Sequence, residues 1–109
     1  MAFTVLLTED AAGDLRELYT FIAKHDSPDK AEYVLKQIEK KFASLSELPE
    51  RGVHPKELES LGIREYREIF FKPYRIVYRV AHEIVYVYLI TDGRRDMQTL
   101  LQRRLLGAL

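Results

Sequence analysis

A chain of 109 residues, 47% hydrophobic and 31% charged, has the composition of one globular domain rather than a disordered segment, and is long enough to bury a single core without staples. Seventeen basic and 17 acidic residues cancel to a formal charge of zero, which argues against a generic nucleic-acid binder. With no cysteine there is neither a disulfide framework nor a thiolate metal site, a composition that suits a reducing cytoplasm.

The first ten residues lack a basic n-region, and their apolar run stops at Glu9 and Asp10, so no signal peptide is expected. No window approaches the roughly 18 apolar residues of a membrane span. Residues 3–8 alternate and are rich in β-formers, which predicts a short first strand. Glu9 and Asp10 then sit where a helix start favours negative charge. Ala11, Leu15, Leu18 and Ile22 recur at spacings of three and four, with Ala12 and Tyr19 widening the apolar face of a helix of about four turns. Ser27-Pro28 opens a second helix. Serine caps, and proline fits the first helical position because its missing N–H would be unpaired there. Ala31, Leu35, Ile38, Phe42 and Leu45 follow on one stripe with Val34 beside it, and the helix ends before Pro49. The short break between the two predicts an antiparallel helical hairpin.

Residues 49–62 are irregular, bracketed by Pro49, Gly52, Pro55 and Gly62, with room for a single turn over 56–61; a segment of this length is either a packed loop or a functional one. From Ile63 the period becomes two, which predicts strands over 63–71, 74–81 and 84–91. Lys72-Pro73 and His82-Glu83 form the turns of an antiparallel meander. The last strand is apolar on both faces and is expected at the centre of the sheet, between the 74–81 strand and the 3–8 strand. Leu15, Leu18, Ile22, Leu35, Ile38 and Phe42 are expected between hairpin and sheet. Met97, Leu100, Leu101 and Leu105 then have the spacing of a short terminal helix. The whole is an α+β fold: N-terminal strand, helical hairpin, three-stranded meander, C-terminal helix.

Charge is uneven along this order. Residues 1–63 hold 8 Lys/Arg and 12 Asp/Glu, a balance of −4; residues 64–109 hold 9 and 5, a balance of +4, with every basic residue there an arginine except Lys72. Arginine suits planar, forked contacts to carboxylate or phosphate. On the 74–81 strand, Arg75 and Arg79 share one face with Val77 and Ala81, whereas Tyr74, Ile76, Tyr78 and Val80 share the other. Together with Arg67, Arg94 and Arg95 they form an anion site, unless glutamates such as Glu65 or Glu68 pair with them. The tyrosines of the sheet (Tyr66, Tyr74, Tyr78, Tyr86, Tyr88) suit half-buried packing with a hydroxyl at the rim, or stacking on a base. His25, His54 and His82 fall in loops far apart, and the acids Glu9, Asp10, Asp26 and Asp29 are explained by helix ends, so no metal or cofactor is expected. No phosphate-loop, dinucleotide, nucleophile-elbow or zinc motif occurs.

Several short elements, weak singly, stand in a telling order. Glu9-Asp10 is followed by Asp14-Leu15, then Ser27-Pro28 with Ala31, then Leu48-Pro49-Glu50-Arg51-Gly52, then Arg67-Glu68, Tyr74-Arg75-Ile76-Val77-Tyr78 and Gly93-Arg94-Arg95-Asp96. In this order they resemble the RelE/ParE superfamily of bacterial toxins over nearly the whole chain. The resemblance implies one toxin domain over residues 1–109, acting in the cytoplasm as half of a type II toxin–antitoxin pair, with plasmid stabilisation among such pairs' roles. It implies a cognate antitoxin whose flexible C-terminal segment wraps the toxin, and contact with operator DNA only through that antitoxin. It further implies that Arg67, Arg75, Arg79, Arg94, Arg95, Met97, Leu101 and Leu105 serve antitoxin or target binding. RelE-like members cut mRNA on the ribosome; ParE-like members bind DNA gyrase and cleave no RNA. For the nuclease branch, Arg67, Arg75 and Arg95 would be the catalytic arginines. That branch's C-terminal tyrosine falls at Leu101 here, no tyrosine follows Tyr88, and Phe70-Phe71 stands where charge is wanted. These departures favour the ParE-like, non-enzymatic branch, although a histidine common before its Gly-Arg-Arg turn is Asp92 here.

Overall fold

The computed structural model describes residues 2–107. Strand β1 (Thr4–Leu7) leads into helices α1 (Glu9–His25) and α2 (Pro28–Ala43), extended by a 3₁₀ turn at Ser44–Ser46. A four-residue helix α3 (Lys56–Glu59) interrupts the long connection. Strands β2 (Tyr66–Phe71), β3 (Tyr74–Ala81) and β4 (Ile84–Asp92) and helix α4 (Met97–Leu106) complete the fold. Each long helix starts on a side-chain cap. Thr8 Oγ1 accepts from the Ala11 N–H at 3.1 Å, Ser27 Oγ from Lys30 at 3.0 Å ahead of Pro28, and Asp96 Oδ1 from Thr99 at 3.2 Å.

The sheet order is β1-β4-β3-β2, with β1 parallel to β4 and the other pairs antiparallel. The strand apolar on both faces is therefore central, as expected. The helical hairpin covers one face, where Ala11, Ile22, Ala31, Val34, Ile38 and Leu45 meet Ile69, Ile76, Tyr78, Val85, Val87 and Ile90. Leu15, Leu18 and Phe42 pack at the margin of this core, half-buried. The expectation for Leu35 is corrected. The inward stripe of α2 runs through Ala31, Val34 and Ile38, and one further residue turns the chain by about 100°, so Leu35 lies beside the core rather than in it.

The opposite face is covered only in part. Val77, Leu89 and Tyr66 lie beneath Met97 and Leu101 of α4 and Leu58 of α3. A bulge makes this possible: Val77 pairs with Leu89 but Tyr78 with Val87, so Tyr88 is an extra residue and both Tyr88 and Leu89 join the second core. The long connection is a packed loop. Pro55 and Leu58 are buried, Val53 bridges Glu68 at the outer edge of β2, and the Gly52 N–H donates to Tyr78 Oη at 2.9 Å. Strand β2 starts at Tyr66 rather than Ile63. Residues 62–63 are used to close α3, with Gly62 at φ 79° and the Ile63 N–H donating to Leu58 O.

Candidate functional site

The five arginines singled out in the sequence do not form one cationic cluster. Arg75, on the second face of β3, is buried, and its guanidinium is consumed by two carboxylates. Nη1 and Nη2 fork onto Glu57 Oε2 and Oε1 at 2.9 and 2.8 Å, while Nε donates to Glu68 Oε1 at 2.7 Å. Glu68 comes from β2 and Glu57 from α3, so the triad pins the loop helix to the sheet. The Arg75 hydrogen bond holds Glu57 below the ordinary glutamate range, whereas burial pushes Glu68 up against the pull of the same guanidinium. The stem of Arg75 passes under the turn that leads into α4. A β-carbon on Gly93 would fall 2.6 Å from Arg75 Cδ, so only glycine fits there.

Two more arginines are also satisfied internally. Arg67 Nη1 donates to the backbone carbonyls of Gly52 at 2.8 Å and Glu50 at 3.3 Å. Arg94 forks onto Asp92, with Nε to Oδ1 at 2.9 Å and Nη2 to Oδ2 at 2.6 Å, and this pairing lowers the Asp92 carboxyl from its usual range. The pair is solvent-exposed and stiffens the turn rather than the fold. The Arg95 side chain makes one hydrogen bond among the described residues, Nη1 donating to Thr91 Oγ1 at 3.3 Å, and it stands at the rim of a cleft of about 510 Å³ lined by Leu18, Phe21, Tyr74 and Ile90 together with the acids Asp14, Glu17 and Asp92. Arg79 is exposed on β3, with no carboxylate within 4.0 Å among the described residues. The expected five-arginine anion site is thus replaced by an internal ion triad, two locally committed arginines, and two that keep their charge free.

Helix α4 forms where the spacing placed it. Met97 and Leu101, which the resemblance assigned to antitoxin or target binding, are buried and Leu105 packs beside them, so these three hold the helix to the sheet. Its solvent side carries Gln98, Thr99, Arg103 and Leu106. Glu57 was not legible in advance because it lies in the aperiodic connection; Glu68 was, as a named competitor for the arginines. Among the described residues no group of three or more His, Cys, Asp or Glu side chains is placed to hold a metal ion. Nδ1 of His25 meets Phe21 O at 2.9 Å and Nδ1 of His54 meets Tyr66 O at 3.1 Å. No helix among the described residues is long and apolar enough to cross a membrane.

Residues 5–97 match the family model described as ParE toxin of the type II toxin–antitoxin system parDE. The chain belongs to the ParE toxin family. As a ParE-family protein it is the toxin half of a type II pair, which implies an antitoxin as partner. The ParE-family chain is 28% identical to Toxin ParE3 of Caulobacter vibrioides over 100 residues, which span 92% of this toxin and 96% of that one. Its fold is similar to a chain of the chromosomal ParDE system from P. aeruginosa, with a TM-score of 0.71 and 20% identity, covering 84% of this toxin and 96% of the other. It is similar as well to a mutant E. coli toxin RelE in the free state, with a TM-score of 0.63 and 20% identity over 96% of this toxin and all of the other.

Proposed function

We propose that this toxin acts without enzymatic chemistry, by protein–protein contact with DNA gyrase, and that a cognate antitoxin neutralises it by laying an acid-bearing apolar segment across it. The observation that carries the reading is the state of Arg75. A guanidinium already forked onto Glu57 and bonded to Glu68 has no free edge for a scissile phosphate, and two adjacent carboxylates repel one. Leu101 adds to this. The position where the nuclease branch carries its tyrosine is on the sheet-facing side of α4 and fully buried, so no side chain there reaches solvent. For a tight toxin–antitoxin pair the interface is expected to bury more than about 2,000 Å² in total. Operator DNA is contacted through the antitoxin, and the pair works in the cytoplasm.

The test is paired. Purified toxin is added to a gyrase supercoiling reaction and, separately, to ribosomes programmed with mRNA. Loss of supercoiling with intact mRNA is the expected result. Codon-dependent mRNA cleavage that disappears in Arg95→Ala, with gyrase unaffected, would overturn it in favour of a ribosome-dependent endoribonuclease.

A further inference from the structure

The central strand β4 outruns its neighbour β1. The two pair only as far as Val87, and the Ile90 N–H beyond is taken by Asp14 Oδ2 at 2.9 Å. Backbone groups along a strand turn alternately to its two edges. The Gly93 N–H donates to Pro73 O at 2.8 Å, so positions 91 and 93 turn toward β3 while 90 and 92 turn outward. The Ile90 carbonyl and the Asp92 N–H therefore face the cleft of about 510 Å³ beside α1, an acceptor and a donor two residues apart. Neither has a hydrogen-bond partner among the described residues. The same cleft has two fixed aromatic walls. Phe21, 59% exposed, stacks on His25 with ring centroids 4.1 Å apart, and Tyr74 stacks on Phe71 at 6.5 Å. Leu18 and Ile90 complete the apolar lining. Of the three carboxylates there, Asp14 is committed to Arg104 and Asp92 to Arg94. That leaves Glu17, exposed on α1 with no ion pair among the described residues. Arg95 offers the opposite charge, since its one hydrogen bond uses Nη1 and leaves Nε and Nη2 free.

We infer that this cleft is a binding site for a short apolar peptide with free ends, of dipeptide to tripeptide length. Its volume falls in the range of small-molecule sites, about 300–1,000 Å³. The open edge of β4 takes the ligand's amide, as in strand addition. Glu17 takes the terminal ammonium, and Arg95 takes the terminal carboxylate in a forked contact. The apolar side chains lie between Phe21 and Tyr74, whose stacked neighbours hold both rings in place and so reduce the freedom lost on binding. Other occupants match less of this. A fatty acid or a simple amine leaves one of the two charges unmatched and the backbone pair of β4 unbonded. A run of phosphates meets three carboxylates. An internal segment of a larger protein can use the strand edge but has neither terminal charge to offer. Peptide-bond hydrolysis is the reaction that supplies such a ligand. The site goes beyond the gyrase reading and stands or falls separately from it.

The test is a calorimetric titration of the purified toxin with leucyl-phenylalanine and with its N-acetyl, C-amide and doubly blocked forms. The free dipeptide is expected to bind with a Kd of about 10–500 µM, as its size allows. Each block should weaken binding by about tenfold. Glu17→Gln should weaken the free dipeptide by about tenfold and leave the N-acetyl form as it was; Arg95→Gln should do the same with respect to the C-amide form. Both residues are exposed, and unchanged thermal unfolding of the two variants separates lost contact from lost fold. The blocked series on the unaltered toxin needs no variant at all. Equal binding of the free and doubly blocked dipeptides would overturn the inference, giving the cleft to an internal segment of a protein partner. No binding of the free dipeptide at millimolar concentration would overturn it as well. So would a loss in Glu17→Gln or Arg95→Gln that is the same for every form, because the two side chains would then not read the ends.

Discussion

Arg104 of α4 grips Asp14 of α1 across the uncovered edge of the central strand. Nη1 and Nη2 donate to Asp14 Oδ2 and Oδ1 at 2.8 and 3.1 Å, and both side chains are largely buried. β1 pairs with β4 only as far as Val87, so the backbone groups of β4 beyond it would otherwise lie open. The two side chains replace the missing strand. The Ile90 N–H donates to Asp14 Oδ2 at 2.9 Å, and Arg104 Nη1 donates to Tyr88 O at 2.9 Å. Asp14 and Arg104 therefore finish the sheet, anchor α4, and bridge the bulge at Tyr88 in one network.

Asp14→Ala is expected to destabilise the toxin by about 2–4 kcal/mol, since it orphans a backbone N–H and leaves Arg104 without its partner. Asp14→Asn keeps an oxygen for Ile90 and should cost less. The double variant Asp14→Ala/Arg104→Met should fall short of the sum of its two single changes. Urea unfolding midpoints check this, and additivity of the two changes would show that the network is not one unit.

Removing Arg75 should be the most damaging single change among the arginines. Arg75→Met leaves Glu57 and Glu68 facing each other without the guanidinium bonded to both, at a cost of about 3–5 kcal/mol. Arg95→Ala, at an exposed position, should cost under about 0.5 kcal/mol. Comparing the thermal midpoints of the two decides it; a near-native Arg75→Met protein would mean the triad contributes nothing.

The triad also makes a signed prediction for pH. Glu57 titrates below its ordinary value of 4.5 in the fold, mainly through its bond to Arg75. Its contribution is therefore complete above the unfolded value and is lost as the pH falls through the lower folded one. Glu68 runs the other way: burial raises its folded value, so its ionisation weighs against the fold as the pH rises through that value. Stability measured from pH 7 down to about 3 should show Glu57→Gln well below the unaltered toxin at pH 7 and converging on it in acid. Glu68→Gln should cost less than Glu57→Gln at pH 7. A constant gap for Glu57→Gln across the whole range would contradict the assignment.

Two glycines should resist substitution for steric reasons alone. A β-carbon at Gly52 would sit 2.6 Å from Tyr78 Oη and 2.7 Å from the Glu68 carbonyl, and one at Gly93 would strike the Arg75 stem and the Pro73 carbonyl. Gly52→Ala and Gly93→Ala should each cost about 1–3 kcal/mol by forcing these neighbours apart. Gly13→Ala, whose nearest contact is the far end of Arg16 at 3.6 Å, should be neutral or stabilising by up to about 1 kcal/mol. Chemical denaturation of the three variants side by side is the check.

What the sequence determined by itself was local and periodic. The spacing of Ala11, Leu15, Leu18 and Ile22, the Ser27-Pro28 cap, and the change to a two-residue period after residue 62 place the long helices and the strands, except for the start of β2, which the closure of α3 moves to Tyr66. The two-sided apolar run from Ile84 to Ile90 places β4 at the centre, because only a central strand buries both faces. The order of short motifs from Asp14-Leu15 to Gly93-Arg94-Arg95 carried the family. What only the tertiary structure decided was the partner of each charge. Arg75 and Arg79 stand four residues apart on one strand face and look alike in sequence. One lies under α3, within reach of Glu57 and Glu68; the other lies beyond α4 with no carboxylate within 4.0 Å among the described residues. Glu57 sits in an aperiodic loop, and Asp14 and Arg104 are 90 residues apart, so no local pattern could pair them. An ion pair depends on distances of a few ångströms between side chains, and only the packing of layers sets those distances.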